Sequence, residues 1–202
     1  MSRLITNAIR STSASADAIT MDGSGNATFP ANVTCSGTAT GFGGGKILQT
    51  LQVVKTDTQS TTSNSYGDVT GLSQAITTVA GSKVLCLGTF FFGSSAAYST
   101  WFRLVRVDVD GSTNYPCLGD ADSSVTRASA GSYNNSYSYA AANSSFNFLD
   151  TPSGAGSHTY KIQWKQGYSG GFTSYIGRDY AGSTDASRGR VPSSLTLIEI
   201  GA

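Results

Sequence analysis

Charge is what this chain has least of. Asp, Glu, Lys and Arg make up 12% of its 202 residues, against about 25% in ordinary globular domains. Thirteen basic and twelve acidic residues leave a formal net charge of +1. No stretch is strongly basic, which excludes the phosphate-neutralising footprint of a nucleic-acid binder. Glutamate occurs once, as Glu199, and histidine once, as His158. The three cysteines, Cys35, Cys86 and Cys117, form no close pair. Together with the lone histidine, that spacing argues against a disulfide scaffold or a zinc site. Cys86 lies in an apolar stretch and reads as a small buried hydrophobe. The longest apolar block, residues 84–92, is interrupted by Gly88 and Thr89. It falls well short of the roughly 20 residues of a spanning helix, so no membrane insertion is expected. Met1-Ser2-Arg3-Leu4-Ile5 is not followed by the apolar run, about 7–15 residues long, of a signal peptide. Synthesis in a cytoplasm without signal-dependent export is expected.

Serine, threonine, glycine and asparagine are what the chain has in their place. Such a composition is poorly suited to helices and well suited to short strands joined by tight turns. From residue 11 to 45 the chain is mostly Ser, Thr, Ala, Gly and Asn, with isolated apolar residues at Ile19, Met21, Phe29, Val33 and Phe42. That segment cannot bury enough apolar area by itself to offset its chain entropy. Residues 1–45 are expected to be an extended stalk ordered by sister chains or a larger assembly, and residues 46–202 a β head. With so little charge on the chain, assembly is a natural expectation.

The β pattern of the head is direct. In His158-Thr159-Tyr160-Lys161-Ile162-Gln163-Trp164-Lys165, apolar Tyr160, Ile162 and Trp164 alternate with Lys161, Gln163 and Lys165, as in a half-buried strand. Residues 101–108 read as another strand, ending in the turn Asp110-Gly111-Ser112. Residues 82–92 are apolar on both faces, as in a central sandwich strand. Further strands are expected at 46–55, 74–79, 115–118, 146–149, 172–176 and 194–200. Eight or nine short strands at this spacing predict an all-β sandwich or jelly roll. Residues 4–10 are the one place where a single helical turn is expected.

Motifs for chemistry are few. His158, with Asp150 and several serines nearby, meets the composition of a Ser-His-Asp triad, but no nucleophile-elbow G-x-S-x-G is present. His158 reads as a turn or surface residue, and no enzymatic activity is expected. Asp108-Val109-Asp110-Gly111 starts like a calcium loop, but the twelfth position holds Gly119 where a bidentate Glu is needed. The pattern fits a strand end running into an Asp-Gly turn. Gly41-Phe42-Gly43-Gly44-Gly45-Lys46 is no phosphate loop, because Thr40 stands where the first Gly belongs and Ile47 follows the lysine. Glycoside-cleaving carboxylate pairs cannot be nominated, since the only Glu lies in the last strand and the aspartates sit in separate turns. No metal and no cofactor are expected.

Two tyrosine-rich loops have the composition of a recognition surface. Ser132-Tyr133-Asn134-Asn135-Ser136-Tyr137-Ser138-Tyr139 combines flat amphipathic rings with adaptable amides and hydroxyls. Gly167-Tyr168-Ser169-Gly170-Gly171-Phe172, with Tyr175 beyond, is the second. Tyr133, Asn134, Asn135, Tyr137, Tyr139, Tyr168 and Tyr175 are the candidate binding residues, suited to sugar rings. The same tyrosines would also suit a contact between subunits.

Several phrases carry a resemblance. They are Ile5-Thr6-Asn7-Ala8-Ile9, then Ala16-Asp17-Ala18-Ile19-Thr20-Met21-Asp22-Gly23-Ser24-Gly25-Asn26-Ala27-Thr28-Phe29-Pro30, and Gly43-Gly44-Gly45-Lys46-Ile47-Leu48-Gln49. Thr70-Gly71-Leu72-Ser73, Phe148-Leu149-Asp150-Thr151-Pro152 and the closing Ser193-Ser194-Leu195-Thr196-Leu197-Ile198-Glu199-Ile200 continue it. Over most of its length the chain resembles virion fibre and appendage proteins of marine bacteriophages, of the cyanophage and pelagiphage kind. The resemblance implies a homotrimer with a jelly-roll head displayed from the virion. It also implies an N-terminal stalk seated on other virion proteins, with Leu4, Ile5, Ile9, Ile19, Phe29, Val33 and Phe42 as its anchoring candidates. Two functions follow: a tail fibre or spike that attaches to the host surface through a glycan, or a capsid decoration or head fibre. A glycan-depolymerising enzyme is the third and weaker alternative.

Overall fold

The computed structural model describes residues 8–10, 12–13, 15–30, 47–134, 141–182 and 185–202. Of the expected site residues, Leu4, Ile5, Val33, Phe42, Asn135, Tyr137 and Tyr139 lie outside the described residues, as does Cys35. The chain divides into two units, Met1–Gly43 and Gly44–Ala202. Among the described residues there is no helix, and every regular element is a strand.

The first unit holds three short antiparallel strands in the order β1 (Ala8–Ile9), β2 (Ile19–Met21) and β3 (Ala27–Thr28). The helical turn expected over residues 4–10 is corrected at its described end, where Ala8 and Ile9 pair with Thr20 and Ile19. Two β-paired residues cannot also adopt the helical backbone. Asp22 closes the β2–β3 turn. Its Oδ1 accepts from the amides of Ser24 and Asn26 at 2.9 Å each, and its Oδ2 from Asn26 Nδ2 at 2.7 Å. Those bonds hold the Asp22 carboxyl below its usual range. Gly25 sits at φ 86° within this turn, a conformation that favours glycine.

The second unit carries β4 (Ile47–Lys55), β5 (Gln59–Thr61), β6 (Gly67–Thr78), β7 (Lys83–Ser94), β8 (Ser99–Val107), β9 (Thr113–Asn114) and β10 (Ala130–Tyr133). It continues with β11 (Ala142–Asp150), β12 (Gly156–Gln166), β13 (Ser174–Ile176) and β14 (Ser193–Ile200). All pairings are antiparallel. In the first sheet β4, β14, β7 and β11 run side by side, and β13 and β5 extend it past the end of β14. In the second, the order is β6, β12, β8 and β10, with β9 a short addition to β8. Four strands against four in this order is a jelly roll, the double Greek key. The head is therefore the all-β sandwich that the strand spacing predicts.

The core lies between the sheets. Phe102 of β8 is its centre, stacked on Phe90 at 4.5 Å between ring centres, edge-on to Phe92 at 5.3 Å and near Trp164 at 6.2 Å. Each such ring removed from water contributes about 1.5–3 kcal/mol. Tyr160, Ile162 and Trp164 point inward from β12, as their alternation requires, and Cys86 is buried beside them. One expected strand fails. Residues 115–118 form a loop, because the chain leaves β9 and crosses the sheet edge before returning as β10.

Candidate functional site

The expected tyrosine surface divides in two. Tyr133 ends β10 and is 56% exposed. Asn134 follows it and is only 3% exposed, so its assignment to the binding surface is corrected. Side chains of successive strand residues point to opposite faces, and the outward place is already taken by Tyr133. The Asn134 backbone amide donates to the Tyr98 carbonyl at 3.3 Å, while its side-chain Nδ2 has no hydrogen-bond partner among the described residues. Tyr168, 53% exposed, stacks on Tyr98 with ring centres 4.9 Å apart, and Tyr98 stacks in turn on Phe172 at 4.8 Å. Phe172 is buried, so the three rings form a column running from the core to the surface. Tyr133 is the cross-strand partner of Ser99, next to Tyr98. Tyr175 belongs elsewhere. It lies on β13, with the Arg178 guanidinium 4.0 Å from its ring centre and Tyr180 at 6.0 Å. Tyr98 is missing from the sequence reading because it stands alone in a Ser/Ala turn with no second aromatic beside it.

A larger aromatic surface lies on the outward face of the β6-β12-β8-β10 sheet. Arg103 places its guanidinium 4.0 Å from the ring centre of Tyr66 and 4.3 Å from that of Tyr115. It donates from Nε and Nη2 to Gln163 Oε1 at 2.9 and 2.6 Å. Gln163 Nε2 donates to Asp68 Oδ1 at 2.6 Å, and Lys161 Nζ to Asp68 Oδ2 at 2.8 Å. Lys165 Nζ lies 5.5 Å from the Tyr66 ring centre. Burial pushes the Tyr66 hydroxyl up to about 12, against the pull of Arg103. Burial also raises Asp68, but the bonds from Lys161 and Gln163 outweigh it and hold the carboxyl below its usual range. Trp101 shares this outward face of β8. A side chain on Gly131 or Gly167 would collide with its indole, so the ring rests on two glycines. The alternation of β12 places Lys161, Gln163 and Lys165 outward, but no local signal links them to Tyr66 and Tyr115, which come from distant parts of the chain.

His158 corrects a second expectation. It is fully buried and belongs to a charged cluster spanning the sandwich. Arg106 donates from Nε and Nη2 to Asp108 at 2.7 and 3.1 Å and from Nη1 to Asp150 Oδ2 at 2.6 Å. The Tyr160 hydroxyl donates to Asp150 Oδ2 at 2.7 Å and Asn114 Nδ2 to Asp108 Oδ2 at 2.7 Å. His158 Nδ1 lies 2.7 Å from Asp108 Oδ1 and donates to it, since a carboxylate only accepts. Its Nε2 faces the Gly154 carbonyl at 3.3 Å. Both ring nitrogens are thereby engaged, whereas a general base acting on a serine needs one directed at the hydroxyl. Burial raises Asp108, but hydrogen bonds from Arg106 and His158 overcome it and leave the carboxyl below its usual range. Burial likewise works against the Arg106 charge, and Asp108 and Asp150 hold its pKa above the ordinary arginine value. Asp150 comes from the first sheet and its partners from the second, so the cluster ties the two sheets together.

Asp108 is thus committed to arginine and histidine. Asp110 caps its own turn through the Ser112 amide at 2.9 Å, with Gly111 at φ 82°. Among the described residues no group of three or more His, Cys, Asp or Glu is placed to hold a metal ion. Of the anchoring candidates in the first unit, Ile9 and Ile19 are cross-strand partners, and Ile9 and Phe29 are exposed.

No family model and no curated protein matches the chain. Among solved structures, a chain in the structure of infectious bursal disease virus Gx strain is similar, with a TM-score of 0.36 and 14% identity, over 76% of this chain and 37% of that one. The chain spans little more than a third of the length of that match, and a likeness so distant bears on neither activity nor partners.

Proposed function

We propose that the chain is a structural protein of a bacteriophage virion, a homotrimeric appendage whose jelly-roll head attaches to the host surface. The observation that carries the reading is the outward face of the β4-β14-β7-β11 sheet. Leu85, Leu87 and Phe91 of β7 face outward there, beside Ile198 of β14, Val54 of β4 and Leu149 of β11, with Ser, Thr, Asn and Gln between them. Leu149 is 46% exposed. Among the described residues, Lys83 at the rim is the one charged side chain that these four strands turn outward. A strand that is apolar on both faces, as β7 is, suits a position covered on both sides. The second sheet covers one side, and sister subunits would cover the other.

The first unit supports the same reading. Its strands are two or three residues long, and Ile9, Met21 and Phe29 are exposed. Units of about 40 residues usually need disulfides, metals or oligomerisation to be stable. Here trimerisation and seating on other virion proteins would supply that stability. The resemblance to marine phage appendage proteins supports a virion location. Attachment would work by multivalency. Several weak sites held together gain avidity by a factor of about 10²–10⁴ without any new contact.

Antibody to the head, applied to particles of the encoding phage and viewed by electron microscopy, tests the assignment. Label at the tail is the expected result. Label spread over the capsid would replace attachment with decoration, and no label on particles would overturn the virion reading.

A further inference from the structure

We infer that the outward face of the β6-β12-β8-β10 sheet binds an acidic polysaccharide, one bearing carboxylate or sulfate groups. Among the described residues, Arg103, Lys161 and Lys165 stand on this face, and only Lys161 has a carboxylate salt-bridge partner, Asp68, at 2.8 Å. Arg103 spends Nε and Nη2 on the neutral Gln163 amide oxygen, which leaves Nη1 without a bond. Lys165 has a π-face beside it, the Tyr66 ring, and no carboxylate. Arg103 and Lys165 therefore sit against one ring without a salt bridge among the described residues, and Arg103 reaches Asp68 only through space. Cations held in that way are fixed in position while keeping hydrogens free for an incoming anion.

The rings supply the other half of the chemistry. Tyr66, Tyr115 and Trp101 come from three separate parts of the chain and meet the same face. Aromatic rings present flat apolar surfaces against which the C–H faces of sugar rings pack, while neighbouring fixed amides and charges bond hydroxyls and acidic groups. Trp101 rests on Gly131 and Gly167, and Gln163 is held from both sides by Arg103 and Asp68. The surface is therefore organised before a ligand arrives, which lowers the entropic cost of binding. Duplex nucleic acid is a poorer occupant, because two cations outside the salt bridge fall short of the phosphate contacts, roughly 6–10, that give such proteins their affinity. The charge excess also sets this face apart from the Tyr98–Tyr168 column, which has no such cation among its stacking partners.

The identity of the biological ligand as a host-surface glycan rests on the attachment reading, whereas the chemistry of the face does not. The test uses the purified full chain with dextran sulfate, alginate and neutral dextran immobilised in parallel. Duplex DNA of similar charge serves as a competitor. The chain is expected to bind dextran sulfate, alginate or both in preference to neutral dextran, with binding weakened by added salt. The tighter of the two names the acidic group. Lys165→Gln, an exchange on the solvent side of the sheet, is expected to lower affinity about tenfold, the size of one charge-assisted hydrogen bond. Arg103→Gln is expected to act in the same direction, and Tyr168→Ala to leave this binding unchanged. Equal binding to neutral dextran, full competition by DNA, or unchanged affinity in both Lys165→Gln and Arg103→Gln would overturn the inference. Selective binding together with failure of the particle labelling would leave the face assigned and remove only the virion reading.

Discussion

The two outward faces of the sandwich are made from strands of similar length, yet they differ in charge. On β4, β14, β7 and β11 the outward side chains are leucine, isoleucine, valine and phenylalanine among small polar residues, with one lysine at the rim. On β6, β12 and β8 they include Arg103, Lys161, Lys165, Asp68, Gln163 and Trp101, with Tyr66 and Tyr115 joining the same face from adjoining loops. A sheet that faces water on one side normally alternates apolar inward and polar outward. β6 and β12 of the second sheet obey that rule, whereas β7 in the first sheet does not, nor does β8 in the second at Val105 and Val107. The departure has a use if the first face is covered by sister chains and the second is left open for a ligand. One fold then offers an assembling surface and a recognising surface back to back.

The most damaging change removes both faces at once. Asp150→Ala leaves Arg106 and the Tyr160 hydroxyl without their partner from the opposite sheet. Breaking a buried pair in this way costs about 3–5 kcal/mol, measured as a fall in the denaturant midpoint. A loss below about 1 kcal/mol would show that the cluster does not tie the sheets together. Leu87→Asp is selective. It puts a carboxylate in the middle of the uncharged face, where covering by a sister chain would bury it unpaired at a cost of several kcal/mol. The oligomer should dissociate while the circular dichroism of the head persists and dextran sulfate binding per chain is retained. Loss of both together would mean that the two faces are not independent.

Acid offers a smaller, graded test. Asp108 and Asp68 have folded pKa values below their unfolded ones, in each case because hydrogen bonds outweigh the burial that raises them. Their contribution is present above the unfolded value of about 3.9 and is lost as pH falls below it. Melting temperature should therefore hold between pH 6 and 5 and drop as the pH falls through about 4 toward 2. The smallest effect on the fold is that of Lys165→Gln, which should change stability by less than about 0.5 kcal/mol. That change sharpens the comparison, because any loss of polysaccharide binding then belongs to the surface and not to the fold.

The fold was legible in the sequence where alternation is strict. Tyr160, Ile162 and Trp164 gave their strand, its inward face and their place in the core together, because half-burial imposes a period of two. Residues 82–92 announced a central strand apolar on both faces. Strands built from small polar residues were not legible. Gln59–Thr61 and Ala130–Tyr133 carry no alternation, and their strand form depends on neighbours distant in the chain. Apolar residues at 115–118 suggested a strand where the chain only crosses between β9 and β10. The sites divide in the same way. Tyr133 and Tyr168 could be named from composition, but whether a residue one step along faces in or out depends on register, and Asn134 faces in. Arg103, Tyr66, Tyr115 and Lys165 are ordinary residues until the sheet brings them together. The lone histidine proved to be a core residue only because Asp108 and Arg106 accompany it.

The central claim is that the uncharged face of the first sheet is a subunit interface. Light scattering on the size-fractionated full chain, with the Leu87→Asp variant alongside, tests it directly. The unaltered protein is expected at three times the 20.9 kDa chain mass and the variant at a single chain mass. A monomeric unaltered chain, or a variant that remains trimeric, would contradict it.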